Sequence, residues 1–142
     1  MVGHTTLRAS VMGDSLDRSA SEDECSRMRE LLEESLAAGA FGFSTGTFYP
    51  PARAATVDEI VAVAEPLARY GAFYATHMRN EAEAVLDSLN ETYEIGRRLG
   101  VRVLISHHKL AGVKKPWPFA GNAGQHSGRP RTPAGIAGLL PL

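Results

Sequence analysis

The chain has 142 residues, 44% of them hydrophobic and 22% charged, with a formal net charge of -1. That length allows one compact domain with a real core, but it falls short of the about 250 residues of a complete (β/α)8 barrel. The near-neutral balance gives no reason to expect nucleic acid or an anionic membrane as partner. No run approaches the ~20 apolar residues of a membrane span, and no basic-then-apolar leader opens the chain. Cys25 is the single cysteine, which excludes an intramolecular disulfide and a cysteine-rich zinc site. These features predict a soluble cytoplasmic protein.

The opening stretch Met1–Arg8 reads as a strand or a strand end. Ser21 with Glu24 forms a capping box ahead of apolar positions Cys25, Met28, Leu32 and Leu36, which predicts a helix closed by Gly39. The short β-compatible run Ala40–Ser44 follows. Thr56 with Glu59 makes a second box before Ile60, Val63, Ala64 and Leu67, and Pro66 should loosen that helix's last turn. Gly71 closes it and leads into the run Ala72–Thr76. A third helix is expected from about Glu81 to Leu99, with Val85, Leu89, Tyr93 and Gly96 along one face. Gly100 ends it, and Val101–Ser106 supplies the next strand.

Every carboxylate lies at or before Glu94, and the chain turns rich in glycine and proline from Ala111 onward. The last segment has no apolar periodicity, so it cannot bury enough surface to offset its ordering entropy. Residues 1–114 are therefore expected to form the folded domain and 115–142 a disordered tail. The abrupt break in composition suggests a shifted reading frame, with a natural flexible tail as the alternative.

Helices alternating with strands at about 30 residues per unit predict βα units with right-handed crossovers. The expected fold class is α/β, a partial (β/α)8 TIM barrel of three to four βα units. A few parallel strands would leave open edges. Self-association through them is an expected partner interaction.

Two histidines occupy equivalent places in successive units: His77 ends one strand and His107 the next. Neighbouring parallel strands lie about 4.8 Å apart, so side chains at their C-terminal ends can converge on a zinc ion. That end is also where barrel enzymes carry their active sites. A strand-end histidine is also commonly a hydrogen-bonded structural residue, and spacing alone leaves the two readings level. Two imidazoles are in any case too few, because a catalytic zinc takes three protein ligands and a water.

Four stretches in series carry a resemblance: VGHTTLR (2–8), AFGFSTGTFYPP (40–51), YATHMRNE (74–81) and VLISHHK (103–109). Together they resemble the D-aminoacylase (N-acyl-D-amino-acid deacylase) branch of the amidohydrolase superfamily, over residues 2–114. The resemblance implies zinc-dependent hydrolysis of N-acyl-D-amino acids to a D-amino acid and a carboxylate. It implies His77 and His107 as zinc ligands and Lys109 as the residue that meets the substrate carboxylate. Phe48 and Tyr49 match residues lining the side-chain pocket, with ordinary loop packing as the alternative. Arg79 could bind an anion or brace the loop after His77.

Other residues of the family pattern find no match here. The family's HxH pair and cysteine ligand would lie upstream of Met1, and its proton-shuttling aspartate well beyond Leu142. No catalytic residue is therefore assigned, and the chain alone is expected to bind zinc weakly and to lack deacylase activity. Cys25 reads as a small core residue, and His4 as a hydrogen-bonding residue. His108 should point away from the site, and nothing is expected of His126. The competing readings are a fragment of a cyclic-amide (hydantoinase-like) amidohydrolase and a non-catalytic remnant or assembly partner.

Overall fold

The computed structural model describes residues 1–107. Lys109, His108, His126 and the expected tail 115–142 lie outside the described residues. Four parallel strands form the sheet within them: β1 (Val2–Gly3), β2 (Gly42–Gly46), β3 (Phe73–His77) and β4 (Val103–Ile105), in spatial order β1-β2-β3-β4. Each strand lies beside the next in sequence, which is the singly wound order of a barrel wall. The connections carry α1 (His4–Met12), α2 (Glu22–Ala37), α3 (Pro50–Arg53), α4 (Val57–Ala64) and α5 (Val85–Leu99). A short 3-10 turn, Glu65–Ala68, finishes α4. Pro66 accounts for it, since its ring cannot continue an α-helical ladder.

The register Phe43 with Tyr74 and Tyr74 with Val103 puts these side chains on one face of the sheet. There they join Leu32, Leu36, Ile60, Leu67, Ile95 and Leu99 in the main core. On the opposite face the strands carry Gly42, Ser44, Gly46, Phe73, Ala75, His77 and Leu104, since successive strand residues alternate. Leu104 is 53% exposed on that side. Stability therefore rests on the helix-covered face.

The local signals explain most of the helix ends. Ser21 and Glu24 make the reciprocal capping box of α2. At α4 the box is only half made. Thr56 Oγ1 accepts from the Glu59 backbone N–H, while the Glu59 carboxylate turns away to a buried arginine. Gly39, Gly71 and Gly100 all have positive φ, as glycines just past helix ends do.

Three expectations need correction. First, the segment after β1 is helical: α1 buries His4, Leu7, Arg8 and Met12. Two of those four are polar, so hydrophobic periodicity misses the stripe. Second, α5 starts at Val85 and not near Glu81. Asn80 Oδ1 accepts from the backbone N–H of Ala82 at 2.8 Å and of Ala84 at 3.2 Å, and this local bonding competes with a helical turn. Third, Tyr93 is 57% exposed. At about 100° per residue it falls outside the arc buried by Ser88, Thr92, Ile95, Gly96 and Leu99. Gly96 also lies in that arc, and a Cβ there would stand 2.3 Å from Val103 Cγ2. Only glycine lets α5 lie this close to β4.

Candidate metal centre

The C-terminal ends of β2, β3 and β4 carry the residues singled out from sequence. His77 is the last residue of β3, paired across the ladder with Gly46 of β2. Its imidazole and that of His107 lie edge to face with ring centroids 5.4 Å apart. Two imidazoles bound to one tetrahedral zinc at roughly 2.0–2.1 Å hold their ring centres about 5 Å apart, so the spacing suits a shared ion. The donor set is incomplete, however. Among the described residues no group of three or more His, Cys, Asp or Glu side chains is placed to hold a metal.

His107 does not end its strand as expected. β4 stops at Ile105. Ser106 N still donates to Thr76 O at 2.9 Å, and the backbone then turns through His107 with φ 55°. That left-handed conformation is unfavourable for a residue with a Cβ, by roughly 1–2 kcal/mol. The His107 imidazole nonetheless lies against that of His77.

Phe48 and Tyr49 close the site from the segment after β2. Tyr49 stacks on His77 with centroids 5.2 Å apart and planes at 22°. Phe48 meets the same imidazole edge-on at 5.8 Å, and packs edge-on against Tyr49 at 5.5 Å. Both rings are about half exposed, so they form an open apolar wall beside the histidines. Gly46 gives the stacked ring room: a Cβ there would make a tight contact, 3.1 Å from Tyr49 Cδ2. Sequence reasoning missed this role, although a glycine at a strand end followed by FYPP was its available signal. His77 Nδ1 also lies 3.8 Å from Glu81 Oε1, beyond hydrogen-bond length.

Arg79 braces the loop, and all three nitrogens of its guanidinium donate hydrogen bonds. It donates to both oxygens of Glu91 and to the carbonyls of Arg53 and Ala55. The hydrogen bond to Glu91 raises its pKa further. Thr45, under the site on the helix-covered face, meets the Tyr74 hydroxyl at 2.7 Å and donates to Thr76 Oγ1 at 2.9 Å. Burial pushes the Tyr74 hydroxyl pKa up.

A second polar cluster lies buried among the helices. Glu59 pairs with Arg8, and His4 Nε2 lies 3.1 Å from Glu59 Oε1. That imidazole contact is close but misaligned for a hydrogen bond, and His4 Nδ1 has no hydrogen-bond partner. His4 thus lies against the Glu59 carboxylate and makes an edge-on contact with Phe43 at 5.5 Å. Cys25 sits in the main core, where burial raises its thiol pKa, consistent with a packing role.

No protein-family model matches the chain. It is 56% identical over 112 residues to a D-aminoacylase of Alcaligenes xylosoxydans xylosoxydans, covering 79% of this chain and 23% of that protein. It is 58% identical over 115 residues to an N-acyl-D-aspartate deacylase of the same organism, covering 80% of this chain and 23% of that protein. Among solved structures, a D-aminoacylase described as defining a subset of amidohydrolases superposes with a TM-score of 0.78 at 54% identity, over 80% of this chain and 24% of that one. An N-acyl-D-glutamate deacylase from Bordetella bronchiseptica, complexed with zinc and a phosphonate inhibitor, superposes at 0.72 with 36% identity, over 75% of this chain and 22% of that one.

The parallel sheet and its helices are those of an amidohydrolase barrel wall. Over the matched residues the chain is similar to the D-aminoacylase family. It spans about a quarter of the length of the curated relatives it matches. A binuclear metal centre is described for D-aminoacylase. Among the described residues no helix is long and apolar enough to cross a membrane.

Proposed function

We propose that this chain forms part of a zinc-dependent hydrolase that cleaves the amide bond of N-acyl-D-amino acids, giving a D-amino acid and a carboxylate. The observation that carries the reading is the convergence of His77 and His107, 5.4 Å between ring centroids, at the C-terminal ends of adjacent parallel strands. These two imidazoles would hold zinc, which when bound supplies Lewis acidity toward a carbonyl oxygen and a lowered pKa for water. Tyr49 and Phe48 present an apolar wall beside His77, and a substrate side chain would lie along it. Lys109 would meet the substrate carboxylate. No residue of the chain is assigned as general base, so the chain by itself is expected to bind zinc weakly and not to turn over substrate.

The test is zinc titration of the full chain by calorimetry, beside His77→Ala and His107→Ala. Weak binding that either substitution abolishes is the expected result. Binding of equal strength in all three chains would remove the assignment. Turnover of N-acetyl-D-methionine by the zinc-loaded chain would overturn the expected inactivity.

A further inference from the structure

The segment that carries Phe48 and Tyr49, residues 47–56, is held at several points by side chains from elsewhere in the fold. Arg8 Nε, on α1, donates to Pro51 O at 3.0 Å. Arg53 folds back within the segment, its Nη2 donating to Phe48 O at 3.0 Å. The end of the segment is held by Arg79, two residues beyond His77. Its Nη1 donates to Arg53 O at 2.5 Å and its Nη2 to Ala55 O at 2.8 Å. The same guanidinium meets Glu91 of α5 through Nε at 2.9 Å and Nη2 at 2.8 Å. One planar group thus joins the aromatic segment, the end of β3 and α5.

We propose that Arg79 is a positioning residue: it fixes the Phe48–Tyr49 segment to the strand end that carries His77, and so sets the stack of Tyr49 on the imidazole. The reason lies in the fork. A guanidinium presents five N–H donors in a fixed plane, which lets it satisfy two carbonyls and a carboxylate together. An ammonium has a point charge and a flexible stem, and cannot span all three partners. The rings of Tyr49 and Phe48 are half exposed, so burial alone holds them weakly. With the clamp gone, Tyr49 would be free to swing off His77, and the apolar side of the site would open to water.

The proposal rests on the reading of His77 as a site residue, but its test needs no metal, so a chain that binds no zinc can still support or refute it. The experiment is nuclear Overhauser spectroscopy on the labelled full-length chain, reading contacts between the Tyr49 and His77 rings and the ring-current displacement of the His77 ring protons. Arg79→Met keeps the apolar stem and removes the fork. The expected result is loss of the Tyr49–His77 contacts, with His77 resonances moving to the positions of an unstacked imidazole while Phe43 and Tyr74 core resonances hold. Glu91→Gln keeps a neutral acceptor and both backbone carbonyl bonds, and should retain the contacts. A merely structural role for Arg79 would lower stability without selectively moving the Tyr49–His77 signals. Unchanged ring contacts in a folded Arg79→Met chain overturn the proposal. Should that variant fail to fold, Arg79→Lys preserves charge toward Glu91. Loss of the contacts in it supports the fork, and their full retention overturns it.

Discussion

Glu59 offers the sharpest test of what holds the helices together. Its carboxylate is buried, and burial taken alone pushes a carboxyl pKa upward. Here the contacts from His4 and Arg8, and the Ala20 N–H donating at 2.9 Å, outweigh that cost and hold the group at about 2, against an ordinary 4.5. Because the folded pKa is depressed, the stabilisation is fully present above about pH 4.5 and is lost as pH falls through about 2. At ~1.36 kcal/mol per pKa unit the full effect is about 3 kcal/mol, of which about 2 kcal/mol disappears between pH 6 and pH 3. Glu59→Gln removes this linkage and leaves the Arg8 charge buried without its partner. The cost at neutral pH is on the order of 3–5 kcal/mol, a large part of the total stability of roughly 5–15 kcal/mol expected for a domain. Urea denaturation followed by circular dichroism would measure both chains from pH 6 to pH 3. The gap between them should narrow by about 2 kcal/mol over that range. Glu24, also held at about 2 by Arg18 and the Ser21 N–H, titrates alike in both chains and cancels. A gap independent of pH would refute the reasoning.

Gly96→Ala should destabilise the fold by about 1–3 kcal/mol through overpacking, because its Cβ would meet Val103 Cγ2 at 2.3 Å. A thermal midpoint equal to that of the parent chain would show that α5 can shift without loss. Leu104, 53% exposed on the sheet face opposite the helices, makes that face adhesive. The full chain should self-associate with rising concentration, and Leu104→Lys should shift sedimentation profiles toward monomer; identical profiles would place the contact elsewhere.

β2, β3 and β4 were legible because each is a short apolar run that follows a helix-ending glycine, a pattern that survives in sequence. His77 and His107 could be paired from their spacing for the same reason. What stayed hidden is polar and buried. Arg8 and His4 face inward from α1, so a hydrophobic stripe never forms and the helix escapes notice. Glu59 sits where a capping box wants a glutamate, and that local reading conceals a partner 51 positions away. The stack of Tyr49 on His77 joins the segment after β2 to the end of β3, where His77 pairs with Gly46. Such a register is known only once the strands are paired. In each case the missing information was a long-range contact that no local pattern encodes.

The two faces of the sheet divide the work of the chain. Phe43, Tyr74 and their helix partners carry the burial that holds the fold, while His77 and Leu104 stand on the other side and Tyr49 packs there against His77. Substitutions among the site residues should therefore cost little stability. The links between the faces are few and polar. Thr45 and Thr76 lie directly behind Gly46 and His77 in the ladder register, bonded to one another at 2.9 Å. Arg79 spans from the strand end to α5. A site made this way keeps its geometry through hydrogen bonds to backbone carbonyls and through close approach at glycine, not through packing of its own rings. Such bonds lose strength steeply with misalignment, whereas apolar packing is non-directional. The order of the aromatic wall should therefore be more sensitive to Arg79 and Gly46 than to the identity of the rings themselves.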